Sequence, residues 1–84
     1  MSSIKELVAY VAKNLADRPD AVHVTETTGD AAVLIEMHVD AEDMGRLIGR
    51  RGRTINAIRS VARVLGGKME KRVEVEIMEA EAAE

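Results

Sequence analysis

Two glycines three positions apart, Gly49 and Gly52, enclose two arginines, Arg50 and Arg51, and a third, Arg53, follows at once. Glycine lets one backbone approach another with no Cβ in the way. Guanidinium groups present planar forks of donors that match phosphate oxygens. Bracketed by aliphatic sequence that reads as helix on both sides, this segment has the chemistry of a clamp for a sugar-phosphate chain. The N–H groups at the start of the helix that follows, around Gly52 and Arg53, are expected to be free and to attract a phosphate. Arg59 and Arg63, further along that helix, either extend the phosphate track or are ordinary solvated residues.

Other phosphate motifs fail on spacing. A P-loop needs a glycine five positions before Gly52, and a dinucleotide fingerprint needs one two positions before Gly49; both requirements fall on Leu47. No Ser-His-Asp or paired-carboxylate arrangement is discernible, so no enzyme is expected. His23 and His38 are read as lying on alternating strand faces, with no cysteine and no third ligand, so neither a metal nor another cofactor is expected.

The net charge of −3 conceals an uneven distribution. Met1 to Gly45 holds three basic and nine acidic residues, a net of −6. Arg46 to Arg72 holds nine basic residues against Glu70 alone, a net of +8, and Val73 to Glu84 adds five glutamates. A concentrated basic patch on an acidic body suits local phosphate binding. With no Phe, no Trp and one Tyr, the chain lacks the aromatic platforms on which sheet-based and single-strand RNA binders stack bases. The absence of cysteine fits a reducing compartment, no apolar run reaches the roughly 20 residues of a membrane span, and the N-terminus lacks signal-peptide order. The chain is therefore read as cytoplasmic, with no membrane partner.

The elements that must position the loop follow from periodicity. At 84 residues there is room for one core. Ile4, Leu7, Val8, Val11 and Leu15 form a helical stripe over Ser3 to Ala16, with Ser3 and Glu6 as a capping box and Pro19 as the exit. Val22 and Val24, then Val33, Ile35, Met37 and Val39, alternate as a hairpin turned by Thr28, Gly29 and Asp30. Asp40 caps a short second helix with Met44, Leu47 and Ile48 inward, and Glu42 and Asp43 favour its dipole. A third helix carries Ile55, Ile58, Ala62 and Leu65 inward and stops at Gly66 and Gly67. Val73, Val75 and Ile77 make a third strand. The order α-β-β-α-α-β lets strands two and three lie parallel through a helical crossover, giving an α+β fold with a three-stranded mixed sheet covered on one face by three helices. Residues 79–84, all Ala and Glu, are expected to be a frayed acidic tail beyond a domain of residues 1–78.

In this order of elements, Leu47-Ile48-Gly-x-x-Gly-Arg53-Thr54-Ile55 resembles the core of a KH domain, with Gly49 to Gly52 as its G-x-x-G loop. The helix and hairpin ahead of that core resemble the bacterial, type II arrangement, and the whole chain is similar to the small bacterial KhpA family. The resemblance implies single-stranded RNA as partner, about four nucleotides held by the loop, and a role as a global RNA chaperone or post-transcriptional regulator. It also implies a second KH-domain protein (KhpB-like) or self-association. Carried onto this chain, the RNA-binding set is Ile48, Gly49, Arg50, Arg51, Gly52, Arg53, Thr54, Ile55 and Arg59, with Ile48, Ile55 and parts of strands two and three as an apolar groove for bases. The family commonly has lysine where Arg50 stands. Two alternatives stay open: a protein-interaction module, and a helix-turn-helix DNA binder.

Overall fold

The alternation of branched residues in the middle of the chain becomes the centre of a sheet. In the computed structural model, which describes residues 3–80, strand β2 (Ala32–Val39) lies between β1 (His23–Thr28) and β3 (Arg72–Glu79). β1 pairs antiparallel with β2, Val24 opposite Met37, after a turn closed by the Gly29 N–H donating to the Ala32 carbonyl at 2.8 Å. β3 pairs parallel with β2, Val33 beside Val73 and Ile35 beside Val75. A parallel neighbour needs a crossover, supplied by α2 (Met44–Ile48) and α3 (Arg53–Lys68). With α1 (Ser3–Leu15), these helices cover one face of the sheet, so the expected α+β architecture is the observed one.

The core is built from Ile4, Val8 and Ala12 of α1, all four inward residues of β2, Leu47 of α2, Ile55, Ile58 and Ala62 of α3, and Val73 and Val75 of β3. Three expectations change. Leu15, placed on the core stripe of α1, is exposed because the helix ends there, and the small Ala12 takes the inward position. Ser3 is already inside the helix and is not its cap. Gly66 and Gly67 do not stop α3, which runs on to Lys68. Gly66 is buried because its bare Cα lies on β3: a Cβ would collide with Val73 Cγ2 and come within 2.8 Å of the Lys71 carbonyl. The reversal falls instead on Glu70, at φ 59°, with the Lys71 N–H donating to Gly66 O at 2.9 Å and the Glu70 N–H to Gly67 O at 3.1 Å. That is a Schellman closure with a glutamate in the left-handed position where glycine is usual.

The other sheet face carries polar side chains. His23 and His38 are direct cross-strand partners there, on one face rather than alternating ones. β3 extends one residue past the expected domain limit, through Glu79, and the Ala80 N–H donates to Val39 O at 2.7 Å. The remainder of the expected tail lies outside the described residues.

Candidate nucleic-acid interface

The glycine-arginine segment is carried by α2, a helix of only five residues held at its start by side chains rather than by its own length. Asp40 Oδ1 accepts the Glu42 N–H at 2.9 Å and begins a 3-10 turn, Ala41–Asp43, that leads into α2. Asp43 then turns inward instead of serving the helix dipole at the surface. It is 1% exposed, and its carboxylate accepts the backbone N–H groups of Asp17 at 3.0 Å and Arg18 at 3.1 Å, in the linker after α1. The Asp17 N–H is the strongest influence holding this carboxyl below its ordinary value of 3.8; desolvation opposes it, while the Arg18 N–H and the charges of Arg46 and Arg18 reinforce it. Arg46 donates to Asp17 Oδ2 at 3.0 Å and Arg18 pairs with Glu42 at 3.6 Å. Arg46, counted in the basic run, is therefore neutralised locally.

At the other end of α2 the backbone turns sharply. Gly49 has φ 77° and ψ 170°, a region open essentially to glycine alone. A Cβ there would collide with Thr54 Oγ1 and lie 2.8 Å from the Thr54 N. Gly52 is left-handed, φ 72°, yet a Cβ would meet nothing nearer than Asn56 Nδ2 at 3.4 Å. Arg51 is left-handed as well, φ 58° and ψ 26°, a conformation that costs an ordinary residue about 1–2 kcal/mol. The two glycines thus do different things: Gly49 is needed for the turn and for contact with Thr54, while Gly52 keeps the outside of the loop bare.

Arg50, Arg51 and Arg53 are exposed, and none of their side chains has a hydrogen-bond or ion-pair partner among the described residues. The amides expected to be free are not: the Gly52 N–H donates to Gly49 O at 3.1 Å and the Arg53 N–H to Arg50 O. The tight 3-10 turn, Arg50–Gly52, consumes them. Cationic side chains, not these two amides, are what the loop offers an anion.

The apolar part of the set also shifts. Ile55 is 4% exposed and belongs to the core, whereas Ile48 is half-buried at its margin. β2 is hydrogen-bonded on both sides, so among the described residues the strand edge beside α3 is that of β3. Arg59 lies on that edge, its Nε donating to the Val75 carbonyl at 3.1 Å and its Nη1 to Asn56 Oδ1 at 3.2 Å. Sequence gave no sign of that contact, nor of Asp43, because both partners are distant along the chain.

A three-stranded mixed sheet backed by helices in the order α-β-β-α-α-β, with a glycine-bracketed cationic turn between the second and third helices, defines a KH domain. Residues 5–77 match the KhpA/KhpB KH domain family, and the chain belongs to that family. It is 45% identical over 75 residues to the RNA-binding protein KhpA of Clostridium perfringens, covering 89% of this chain and 100% of that one. It is 43% identical to the RNA-binding protein KhpA of Aquifex aeolicus, covering 94% and 100%. Among solved structures, Era of Aquifex aeolicus bound to GDP.AlF4- superposes with a TM-score of 0.63 at 24% identity, over 90% of this chain and 29% of Era. Era in complex with MgGDPNP and nucleotides 1506–1542 of 16S ribosomal RNA gives 0.62 at 24% identity. The chain spans less than a third of Era, and that likeness concerns the fold alone.

Proposed function

We propose that this protein binds single-stranded RNA through the loop from Gly49 to Gly52, as a non-enzymatic RNA chaperone or post-transcriptional regulator in the cytoplasm. The observation that carries the reading is a pair of exposed arginines, without partners among the described residues, on a turn whose backbone is held left-handed at Arg51. A turn that only joins two helices does not require two arginines between its glycines. Relatives described as RNA-binding proteins, matched over their full length at 43–45% identity, support it.

In this reading the phosphates meet Arg50, Arg51 and Arg53, whose forked donors exchange water for phosphate oxygens. Gly52 lets the ribose-phosphate chain lie against the loop, and Thr54 fixes the loop by packing on Gly49. Ile48 and the edge of β3 receive the bases, with Arg59 beside them and Ile55 supporting from the core. No helix among the described residues is long and apolar enough to cross a membrane.

The helix-turn-helix alternative is set aside, since its first helix would be the five-residue α2, inside a mixed α/β architecture. The protein-interaction reading keeps a surface of its own. An apolar groove of about 180 Å³ between α1 and α3, lined by Leu7, Val8, Val11, Ala57, Ile58 and Val61, lies apart from the loop and suits a second KH-domain protein or self-association. RNA and protein partners can then bind together, and a second module raises effective concentration.

The test is the double substitution Arg50→Asp, Arg51→Asp. Each lost charged hydrogen bond is worth about 1.5 kcal/mol, so affinity for single-stranded RNA should fall by roughly 100-fold. Fluorescence anisotropy measures the affinity and thermal unfolding confirms the fold; unchanged affinity in a folded variant would falsify the assignment.

A further inference from the structure

The face of the sheet turned away from the helices carries a row of donor side chains that plays no part in the arginine loop. His23 and His38 are direct partners in the antiparallel pair, and Met78 lies beside His38 in the parallel one. All three point off the same face, because strand neighbours alternate and the adjoining Val22, Met37, Val39 and Ile77 turn to the core. His38 therefore has an imidazole on one side and a thioether on the other, in a line across all three strands. Ala21 and Ala80 flank the histidines with short side chains, and together they line an open hollow of about 360 Å³. The sequence offers no metal site, because it places the histidines on alternating faces and shows no third ligand. The register removes the first objection and Met78 the second.

Neither imidazole has a hydrogen-bond or ion-pair partner among the described residues, and that of His38 is half-buried. Directly opposed side chains start about 5 Å apart at Cβ. Two rings close that gap by leaning onto one ion, with bonds of about 2 Å. The nearest carboxylates on this face, Glu36 and Glu76, stand two residues further along β2 and β3, about 7 Å away. Among the described residues no group of three His, Asp or Glu converges on one point. That donor set selects the ion. Zinc takes a closed tetrahedron of nitrogen, thiolate and carboxylate ligands, and calcium or magnesium takes oxygen. Two nitrogens and a thioether, with nothing harder in reach, suit soft, low-coordinate Cu(I).

We propose that His23, His38 and Met78 form a Cu(I) site on the open face of the sheet, with His38 as its central ligand. The site lies across the sheet from α2 and α3, so its occupancy does not compete with nucleic acid at the cationic turn. An ion that joins three strands binds the folded chain and not the unfolded one, and so stabilises the fold.

The full chain is titrated anaerobically with Cu(I), kept reduced by ascorbate, against the chromogenic chelator bicinchoninate. Circular dichroism checks the fold of each variant. The native protein should withdraw one equivalent per chain and gain in Tm. His23→Gln, at an exposed position, and His38→Gln should each abolish that uptake. Met78→Leu should weaken it, whereas Met69→Leu, which alters an exposed thioether beyond α3, should leave it unchanged. No uptake by the native protein overturns the proposal, as does uptake that survives both histidine substitutions. Equal losses in Met69→Leu and Met78→Leu also overturn it. So does undiminished uptake in Met78→Leu, which would leave a bare pair of histidines with no preference for copper.

Discussion

The two ends of α2 use the same residue type in opposite ways. At the start, Arg46 and Arg18 are paired with Asp17 and Glu42, and the buried Asp43 ties the helix to the linker after α1. At the finish, Arg50 and Arg51 stand clear of the body on a backbone that departs from helix at Gly49 and Arg51. One end holds position, and the other is left with charge to give. In so short a helix the second depends on the first, because five residues form no stable helix alone. A cationic loop is useful only where its base is held still, since a phosphate clamp that must first be ordered loses affinity to the entropy of ordering.

The contrast is open to attack at both ends. The largest effect is expected at the turn itself: Gly49→Ala combines a glycine-only conformation with the collision against Thr54 and should destabilise by about 3–4 kcal/mol, whereas Gly52→Ala should cost only about 1 kcal/mol. Urea unfolding of the two variants measures the difference, and equal costs would mean that the two glycines do the same job.

Next comes the anchored end. Asp43→Asn leaves two backbone donors facing an amide and should lower Tm by several degrees while the arginines of the loop stay in place. The sign of the pH dependence follows from the direction of the shift. The Asp43 carboxyl is held below its ordinary value of 3.8, so the stability it contributes is complete above that value and is lost as pH falls through the lower, folded-state value. Acid unfolding of the native protein should show this loss below pH 3.8 and Asp43→Asn should lack it; parallel acid limbs would remove the anchor from the account.

The smallest effects set two strained residues side by side. Arg51 and Glu70 have nearly the same left-handed φ, 58° and 59°. Replacing either with glycine should stabilise the fold by about 1 kcal/mol. Only Arg51→Gly should also weaken RNA binding, by about tenfold. If Glu70→Gly weakened it equally, strain rather than charge would be the common cause.

Much of this was readable in the chain. Val33, Ile35, Met37 and Val39 alternate strictly and all are buried, and the crossover followed from two helices between parallel strands. What escaped was set by contacts across the fold. Asp43 looks like a dipole partner because its real partners lie 26 and 25 residues earlier. Gly66 reads as a helix stop, since nothing local reveals that Val73 needs the space of its missing Cβ. Ile55 is read both as an inward residue of α3 and as part of the groove, and its 4% exposure bears out the inward reading. A simple helix start would leave the Gly52 and Arg53 amides free, but the 3-10 turn uses both.

The parallel pairing of β2 with β3 has a consequence for synthesis. The central strand emerges from the ribosome long before its second neighbour, and Val73 and Val75, both part of the core, are among the last residues of the domain to be made. Until they arrive, β2 presents an open hydrogen-bonding edge and the helices lack part of their floor, a state exposed to misassociation. The arginine turn, translated some twenty residues earlier, reaches the surroundings before the scaffold that steadies it has closed. Nascent chains released at successive lengths should therefore become resistant to protease only after the closing strand has cleared the exit tunnel.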